Sequence, residues 1–524
     1  MAQRLVVLAL VAFLAPAARA ADTTPAERWQ FFSEEAQIGS ELLDLALTNR
    51  PESIALRNVR VLDVESGELR AGMIVLVAGG RIEAVGAEAA TPVPKGARVI
   101  DAGNRVLVPG FVDMHVHNLE SWSQMLLNLA AGVTTVRDMD GFPWLLALRD
   151  AIRAGRILAP NEYVSGQLLN FFPMDWYARV VRTPQEARTA VDEQARDGYD
   201  FIKVHNMMPA GMYRALADEA HKRGLDLVGH IPHDVLVADA VRAGQRTLEH
   251  LKGFYLDAGL KPSPEDWLSV MRGAHDVYVD PTFYVTRNSF REAEAIRLLD
   301  GEEMQFVPWR LRAQWRALAE RPADGNLKLQ RNVLPMSIEM SRRLHEIGTP
   351  FLTGTDSGGG YPFHVPGFAL HEEFRYFQQA GFSALETLRA ATLNAARAMR
   401  RESEFGTISP GKRADLVLLA GDPSQDLANA DRIEGVMVRG VWLDRKLLDG
   451  MLADLRRLYA KPAAPLAPDA EAWRRLVSRY RDLRKRGLPL RDHDLAELCR
   501  LLDEEGEPAL SDEVASWRTT RSPT

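Results

Sequence analysis

The sequence predicts an α/β protein: a (β/α)8 TIM barrel with a small discontinuous β-sandwich domain and a C-terminal helical extension. Three observations predict it. Over residues 109–403, eight strand-like runs alternate with amphipathic helical stretches, as in a parallel sheet wound with helices. Short β-type runs with Gly-containing turns fill 54–108 and return at 404–445, which points to one sheet domain assembled from both flanks of the barrel. No Gly-rich phosphate turn follows any strand, so an open doubly wound sheet is the weaker alternative.

In chain order, residues 1–20 (MAQRLVVLALVAFLAPAARA) carry Arg4, an apolar run and small residues ending at Ala20. This is the three-part form of a secretory signal peptide, with cleavage expected after Ala20. The competing reading is a membrane anchor, but ~10 apolar residues are too few for a hydrocarbon core that needs about 20. The expectation is therefore a periplasmic or secreted protein with no stable membrane anchor after cleavage. Residues 21–53 read as a helical segment, because PAERWQFFSEEAQIGSELLDLALTNR spaces its apolar residues by three and four. The runs IALRNVRVLDV, MIVLVAGGRIEAVG and RVIDAGNRVLVPG supply the first part of the β domain.

The barrel runs are GFVDMHVH, VTTVRDMD, NEYVSG, DFIKVHN, LDLVGHIP, RTLEHL, DVYVDPTF and PFLTGTDSG. Helices such as MYRALADEAHKRG and VLVADAVRAG separate them, the second ending at a glycine suited to a helix C-cap. The Trp- and Arg-rich stretch 288–340 is long for a β/α connection and reads as a lid or as extra helices outside the barrel. GTISPGKRADLVLLAGDP and IEGVMVRGVWLD complete the β domain. Residues 446–524 are helical apart from KPAAPLAPDA. There a basic stretch (WRRLVSRYRDLRKRG) precedes an acidic one (DHDLAELCRLLDEEGE), and two solvated faces that neutralise each other are expected.

Composition sets the outer limits. The 524 residues, 46% hydrophobic and 26% charged, describe an ordinary globular chain and exclude a disordered, collagenous or coiled-coil protein. A formal charge of −7 offers no basic field for phosphate backbones, which argues against nucleic acid as a partner. The single cysteine, Cys499, cannot form an internal disulfide, so an exported chain must rely on its core or on metal.

Strand geometry directs attention to particular side chains, since only one face of a barrel strand points inward. In Asp113-Met114-His115-Val116-His117 the polar residues share one face, and the apolar pair is expected to meet the helices. In Phe201-Ile202-Lys203-Val204-His205 the same rule sends Lys203 inward. A buried ammonium needs an anion or a chemical job. His230, His250 and Asp356 each end an apolar run, which puts them at the C-terminal rim where barrel enzymes place their sites. One histidine at a strand end is more often hydrogen-bonded core than ligand. Five strands delivering an imidazole, carboxylate or amine to one rim are harder to dismiss. Nitrogen and oxygen donors without thiolate suit zinc, with manganese, cobalt or iron also open.

These residues resemble, in order, the metal-binding strands of the amidohydrolase superfamily, most nearly its prolidase-like and imidazolonepropionase-like branch. VPGFVDMHVH, DFIKVHN, the His230 and His250 strand ends and TGTDSGG carry the likeness. It continues through GFALHEEF, LRAATLNAARAM and GTISPGKRADLVLL, covering about 54–445. The resemblance implies that His115 and His117 bind one metal ion with Asp356, and that His230 and His250 bind a second. Lys203 would bridge the two as a carbamate. It further implies a water activated near neutral pH and an Asp356 that carries its proton to the leaving nitrogen. The expected activity is metal-dependent hydrolysis of an amide, peptide-like or cyclic amide bond in a small molecule.

Several departures fall around the substrate. The loop after His117 is short, and His233 stands three residues beyond His230. EHLKG replaces the more usual EHG at that pocket wall. His233, His205 and His364 are candidate substrate contacts, and His371 is a candidate rim support. His221, His275, His345 and His493 read as surface or packing residues. Competing readings are a mononuclear deaminase or ring-opening hydrolase using His115, His117, His230 and Asp356, a lactonase, esterase or phosphoesterase, and a non-catalytic exported binding protein. A homo-oligomer is compatible with all of them.

Overall fold

The computed structural model describes residues 24–117, 121–173, 178–254, 264–288, 299–320, 333–358, 362–461 and 468–518. The expected signal at 1–20 lies outside them. Among the described residues no helix is long and apolar enough to cross a membrane.

β1 (Ile54–Leu62), β2 (Leu69–Ala78) and β3 (Arg81–Ala87) form an antiparallel meander. Ala78 pairs with Arg81 across a two-residue turn, where Gly79 and Gly80 have φ of 55° and 78°. Both turn positions need positive φ, which glycine adopts without a Cβ clash. β4 (Arg98–Asp101) and β5 (Val106–Pro109) run parallel to β1.

The chain then enters the barrel through β6 (Phe111–His117), β7 (Val133–Asp138) and β8 (Asn161–Val164), which pair in parallel. β9 (Leu169–Asn170) and β10 (Arg179–Val180) form a short outer pair. β11 (Ile202–Val204), β12 (Leu227–Gly229), β13 (Thr247–Glu249) and β14 (Tyr278–Asp280) continue the parallel order. Single bridges from Ser165 to Phe201 and from Val279 to Phe351 join β8 to β11 and β14 to the last run. That run ends in β15 (Ser357–Gly358), which pairs with β6 and closes the (β/α)8 barrel. The eight strands of this circuit are the eight runs read from the sequence.

One detail differs from strict alternation. Val116 packs with Phe111 and the helix-side residues, but Met114 joins the cluster of Phe201, Val228, Tyr278 and Leu352. The β6/β7 register shifts between Asp113 and Val116, so the two apolar residues do not share an environment.

Beyond the barrel, β16 (Leu416–Leu419), β17 (Ile433–Val438) and β18 (Val441–Asp444) return to the first sheet. β16 pairs antiparallel with β5, giving the order β18-β17-β16-β5-β1-β2-β3.

The helix Pro25–Thr48 begins with a capping box, in which Thr24 Oγ1 accepts from Glu27 N at 3.3 Å and Glu27 Oε2 accepts from Thr24 N at 2.8 Å. Its Phe32, Ala36, Ile38 and Leu42 are buried in one cluster with Trp473, Leu476, Val477 and Tyr480 of the tail helix Ala470–Lys485. The tail helices are therefore amphipathic packing elements, not solvated faces. Their charges are also partnered differently from the sequence expectation. Arg481 pairs with Glu513 at 2.6 Å and Arg486 with Asp44 at 2.5 Å, on the last helix and the N-terminal helix respectively. Across the basic and acidic stretches there is the Arg474–Glu507 pair at 3.6 Å.

In the 288–340 stretch, helix Trp309–Ala319 is fastened at the barrel's edge. Arg310 makes a buried two-point ion pair with Glu34 at 2.7 and 3.2 Å, and Trp309 N donates to Tyr459 O at 3.2 Å. Residues 289–298 and 321–332 lie outside the described set.

Candidate metal centre

The C-terminal ends of β6, β11, β12, β13 and the β15 run bring His115, His117, Lys203, His230, His250 and Asp356 to one rim. Backbone hydrogen bonds set their heights: Asp356 N donates to His115 O at 2.7 Å, His250 N to Asp280 O at 2.8 Å and His230 N to Val204 O at 3.0 Å. Asp356, His250, Leu251 and Thr282 have φ of 57°, 62°, 57° and 46°. For L residues this left-handed region costs about 1–3 kcal/mol each, and such strain persists only where the surroundings over-determine it.

Asp356 Oδ1 lies 3.3 Å from His115 Nε2 and 3.0 Å from His117 Nε2. Lys203 Nζ stands 3.2 Å from His115 Nε2. The rings of His115 and His250 are 4.6 Å apart, and those of His250 and His230 are 4.5 Å apart and perpendicular.

Each of three imidazoles has its Nδ1–H committed elsewhere. His115 donates to Glu249 Oε2 at 3.1 Å and His230 to Asn206 Oδ1 at 2.5 Å. The Thr282 hydroxyl already donates to Pro281 O, so His250 Nδ1–H donates to Thr282 Oγ1 at 2.6 Å. With Nδ1 carrying the proton, Nε2 of all three presents a lone pair.

Charge state follows burial. His115 is fully buried, and desolvation with the nearby Lys203 lowers its pKa to about 4. Burial likewise holds His230 and His250 well below the usual imidazole value. Burial would raise Asp356, but the imidazoles of His115, His250 and His117 outweigh it and keep the carboxyl well below its usual range. Lys203 is lowered to about 8 by desolvation, so a fraction of its amine is neutral near physiological pH. At neutral pH His115, His230 and His250 thus present neutral imidazoles beside the Asp356 carboxylate, and part of Lys203 is a neutral, nucleophilic amine.

Those donors fit a divalent metal. Ligand atoms of His115, His250 and Asp356 lie within 4.8 Å of one another. The 3.0 and 3.3 Å separations about Asp356 Oδ1 match the ~3.3 Å edge of a tetrahedron with bonds of about 2.0–2.1 Å, the dimensions of a zinc site. Imidazoles whose outer nitrogens are hydrogen-bonded are the usual form of such ligands.

Beneath the rim lies a layer the sequence reading missed. Arg137 donates to Glu249 Oε1 at 2.8 Å, to Thr247 Oγ1 at 3.1 Å and to Met114 O at 2.6 Å. Burial would raise Glu249, yet Arg137 and His115 hold it at about 2. It therefore stays anionic and orients His115. Asp280 is fully buried and pushed well above its usual range by burial and by Glu249. Like Lys203, Arg137 in VTTVRD, Glu249 in RTLEHL and Asp280 in VYVD are charged residues inside apolar strands, which is the signal by which the sequence marks them.

The substrate-side candidates divide. His205 lies beside His230 with ring centroids 4.3 Å apart. His233 is half-buried, and its backbone N–H donates to Asn206 O at 3.0 Å. His364 is buried, with its ring hydrogen-bonded to the Asp356 backbone. His371 is not at the rim: it bonds Ala131 O at 2.9 Å and Asp431 Oδ1 at 2.6 Å and packs edge-on against Phe111, at the start of β6. Within EHLKG, Lys252 is half-buried close enough to influence Asp356, and desolvation lowers its pKa.

Gly358 pairs with His117, has φ of +85°, and a Cβ there would lie 1.8 Å from His117 O. Gly358→Ala is expected to displace His117, giving a lower melting temperature and a sub-stoichiometric metal content by elemental analysis. Native values for both would show that the rim tolerates the methyl group.

Residues 106–443 match the sequence model of the amidohydrolase family. The chain is 26% identical over 432 residues to an adenine deaminase of Mesorhizobium japonicum, covering 78% of this chain and 59% of that one. It is 37% identical over 429 residues to adenine deaminase 3 of Rhizobium meliloti, covering 82% and 63%. It thus spans about three-fifths of the length of these curated relatives. Among solved structures it is similar to a bottromycin amidohydrolase, with a TM-score of 0.66 and 27% identity over 80% of this chain and 93% of that one.

Proposed function

The chain belongs to the amidohydrolase family, and from that premise we propose that it is a metal-dependent hydrolase of C–N bonds in small molecules, acting on an amide, peptide-like or cyclic amide. The observation that carries this reading is the convergence of four imidazoles, one carboxylate and one buried lysine on a single barrel rim.

His115, His117 and Asp356 would hold one ion, His230 and His250 a second, with zinc favoured by the nitrogen and oxygen donors. Bound there, divalent metal supplies a Lewis acid and lowers the pKa of water from 15.7 toward 7. Lys203 would link the two as a carbamate, and its depressed pKa supports this because the neutral amine is the form that adds to CO2. Asp356 accepts the proton of the attacking water at its carboxylate and returns it to the leaving nitrogen. Glu249 keeps His115 in one tautomer, and Asn206 and Thr282 do the same for His230 and His250. His205, whose ring lies 4.3 Å from that of His230, His233 three residues beyond it, and Lys252, close enough to act on Asp356, would supply polar contacts to a substrate. Export through residues 1–20, with cleavage after Ala20, is part of the same proposal.

A second reading has specific support. The two curated relatives named above are adenine deaminases, and in this reading a single ion would be held by His115, His117, His230 and Asp356. One experiment separates the two. Protein purified with zinc and bicarbonate is analysed for metal and carbamate, then assayed against N-acyl amino acids, X-Pro dipeptides, hydantoin-like rings, lactones and adenine. Two ions per chain, a carbamylated Lys203 and cleavage of an amide are expected. One ion, a free Lys203 amine and ammonia released from adenine would replace the proposal with the deaminase.

A further inference from the structure

Beside the metal centre, and outside its ligand set, lies a cavity of about 570 Å3. That is within the range of about 300–1,000 Å3 typical of sites that enclose a drug-sized ligand. Its lining is mostly apolar and comes from distant parts of the chain: Phe31 and Phe32 of the N-terminal helix, Leu127 after β6, Leu311 and Trp315 of helix Trp309–Ala319, and Ala496 of the tail helix Asp492–Glu504. Arg28, Glu497 and Arg500 also line it, and Arg28 pairs with Glu497 at 3.6 Å. His493, read from the sequence as a surface or packing residue, lines it too.

Two residues connect this cavity to the chemistry. His364 lines it and hydrogen-bonds through its ring to the Asp356 backbone. Gln124 lines it and reaches toward the β6/β15 pairing, its Nε2 lying 3.0 Å from where a Cβ on Gly358 would be. Gln124 is only 4% exposed, and among the described residues its Oε1 has no hydrogen-bond partner. A buried acceptor is costly to leave unsatisfied, so a ligand N–H at this position would gain both a hydrogen bond and relief of that cost. The surrounding apolar walls favour hydrocarbon over water.

We propose that this cavity is a substrate subsite, built jointly by the N-terminal helix and the C-terminal tail. It takes the apolar chain or ring of an amide whose C–N bond lies at the metal centre, with an N–H of that ligand donating to Gln124 Oε1. This rests on the amide-hydrolase reading above. It assigns the tail a role in selecting substrates with a bulky apolar group.

The test uses the full metal-loaded chain and an N-acylglycine series from acetyl to dodecanoyl, titrated by calorimetry so that binding is read whether or not any member is cleaved. Affinity is expected to rise about three- to fourfold per methylene until the cavity is filled, the factor supplied by burying a methylene. Ala496→Trp and Leu311→Trp, which fill the cavity from two different helices, should each weaken dodecanoylglycine at least tenfold and flatten the chain-length dependence. Gln124→Leu, which keeps the volume and removes the amide, should weaken the whole series. Affinity independent of chain length in the native protein overturns the subsite, as do filling variants that keep the native thermal transition and the native dependence. Chain-length-dependent binding with no cleavage of any amide would overturn the hydrolase reading while supporting the subsite.

Discussion

Asp356→Asn is expected to lower kcat by about 10²–10⁴-fold, the range supplied by a positioned general acid–base, while the thermal transition remains cooperative. Asp356 is 5% exposed and stands within 3.3 Å of two imidazole nitrogens. The asparagine keeps its shape and one oxygen but cannot take up a proton. Because the folded carboxyl has a pKa below the unfolded value, its pairing stabilises the fold at neutral pH, and that contribution is lost as the pH falls through the folded pKa. The asparagine variant should lack this part of the acid sensitivity. Steady-state kinetics with metal analysis on the same sample checks the prediction. Activity within threefold of native at full metal content would remove Asp356 from the proton path.

Arg491→Met should cost about 3–5 kcal/mol of unfolding free energy, as expected when one partner of a buried ion pair is deleted. Arg491 Nη2 donates to Glu35 Oε2 at 2.6 Å, and both side chains are at most 2% exposed. Glu35 also accepts from Ser121 Oγ at 2.6 Å and from Trp122 N at 3.0 Å. One carboxylate therefore ties the tail, the N-terminal helix and the segment that follows His117. Burial pushes the Glu35 carboxyl up and Arg491 opposes it, so in the variant Glu35 would take up a proton and recover part of the loss. Glu35→Gln combined with Arg491→Met should be more stable than Arg491→Met alone. Urea denaturation of the three variants checks this, and a loss under 1 kcal/mol for Arg491→Met would place the pair among weak surface contacts.

Much of the barrel and its rim was legible beforehand because both are written in short-range patterns. A strand alternates faces with period two, so DMHVH, FIKVH, VGH, LEH and TGTD each indicate an inward donor without reference to another strand. The same strands carry Arg137, Glu249 and Asp280, but their role is set by one another across the barrel, through contacts such as Arg137 Nη2 to Glu249 Oε1 at 2.8 Å, which no single strand's pattern encodes. His371 was misplaced for a different reason. Its motif GFALHEEF gives a helix, but the end of the barrel that the helix faces depends on its packing against Phe111 and Asp431. The tail's charge runs suggested self-neutralisation, whereas Arg481 and Arg486 of the basic run pair with Glu513 and Asp44, at separations no local pattern encodes.

By itself, the sequence determined the eight strands, the family resemblance and the ligand types, since strand periodicity and strand-end placement are local consequences of backbone geometry. Only the tertiary structure decided which imidazole nitrogen faces inward, how close Lys203 comes to His115, and that residues near both ends of the chain enclose an apolar cavity beside Asp356. Those outcomes depend on contacts between residues as far apart as Glu35 and Arg491, and such contacts are settled by packing and desolvation of the whole fold.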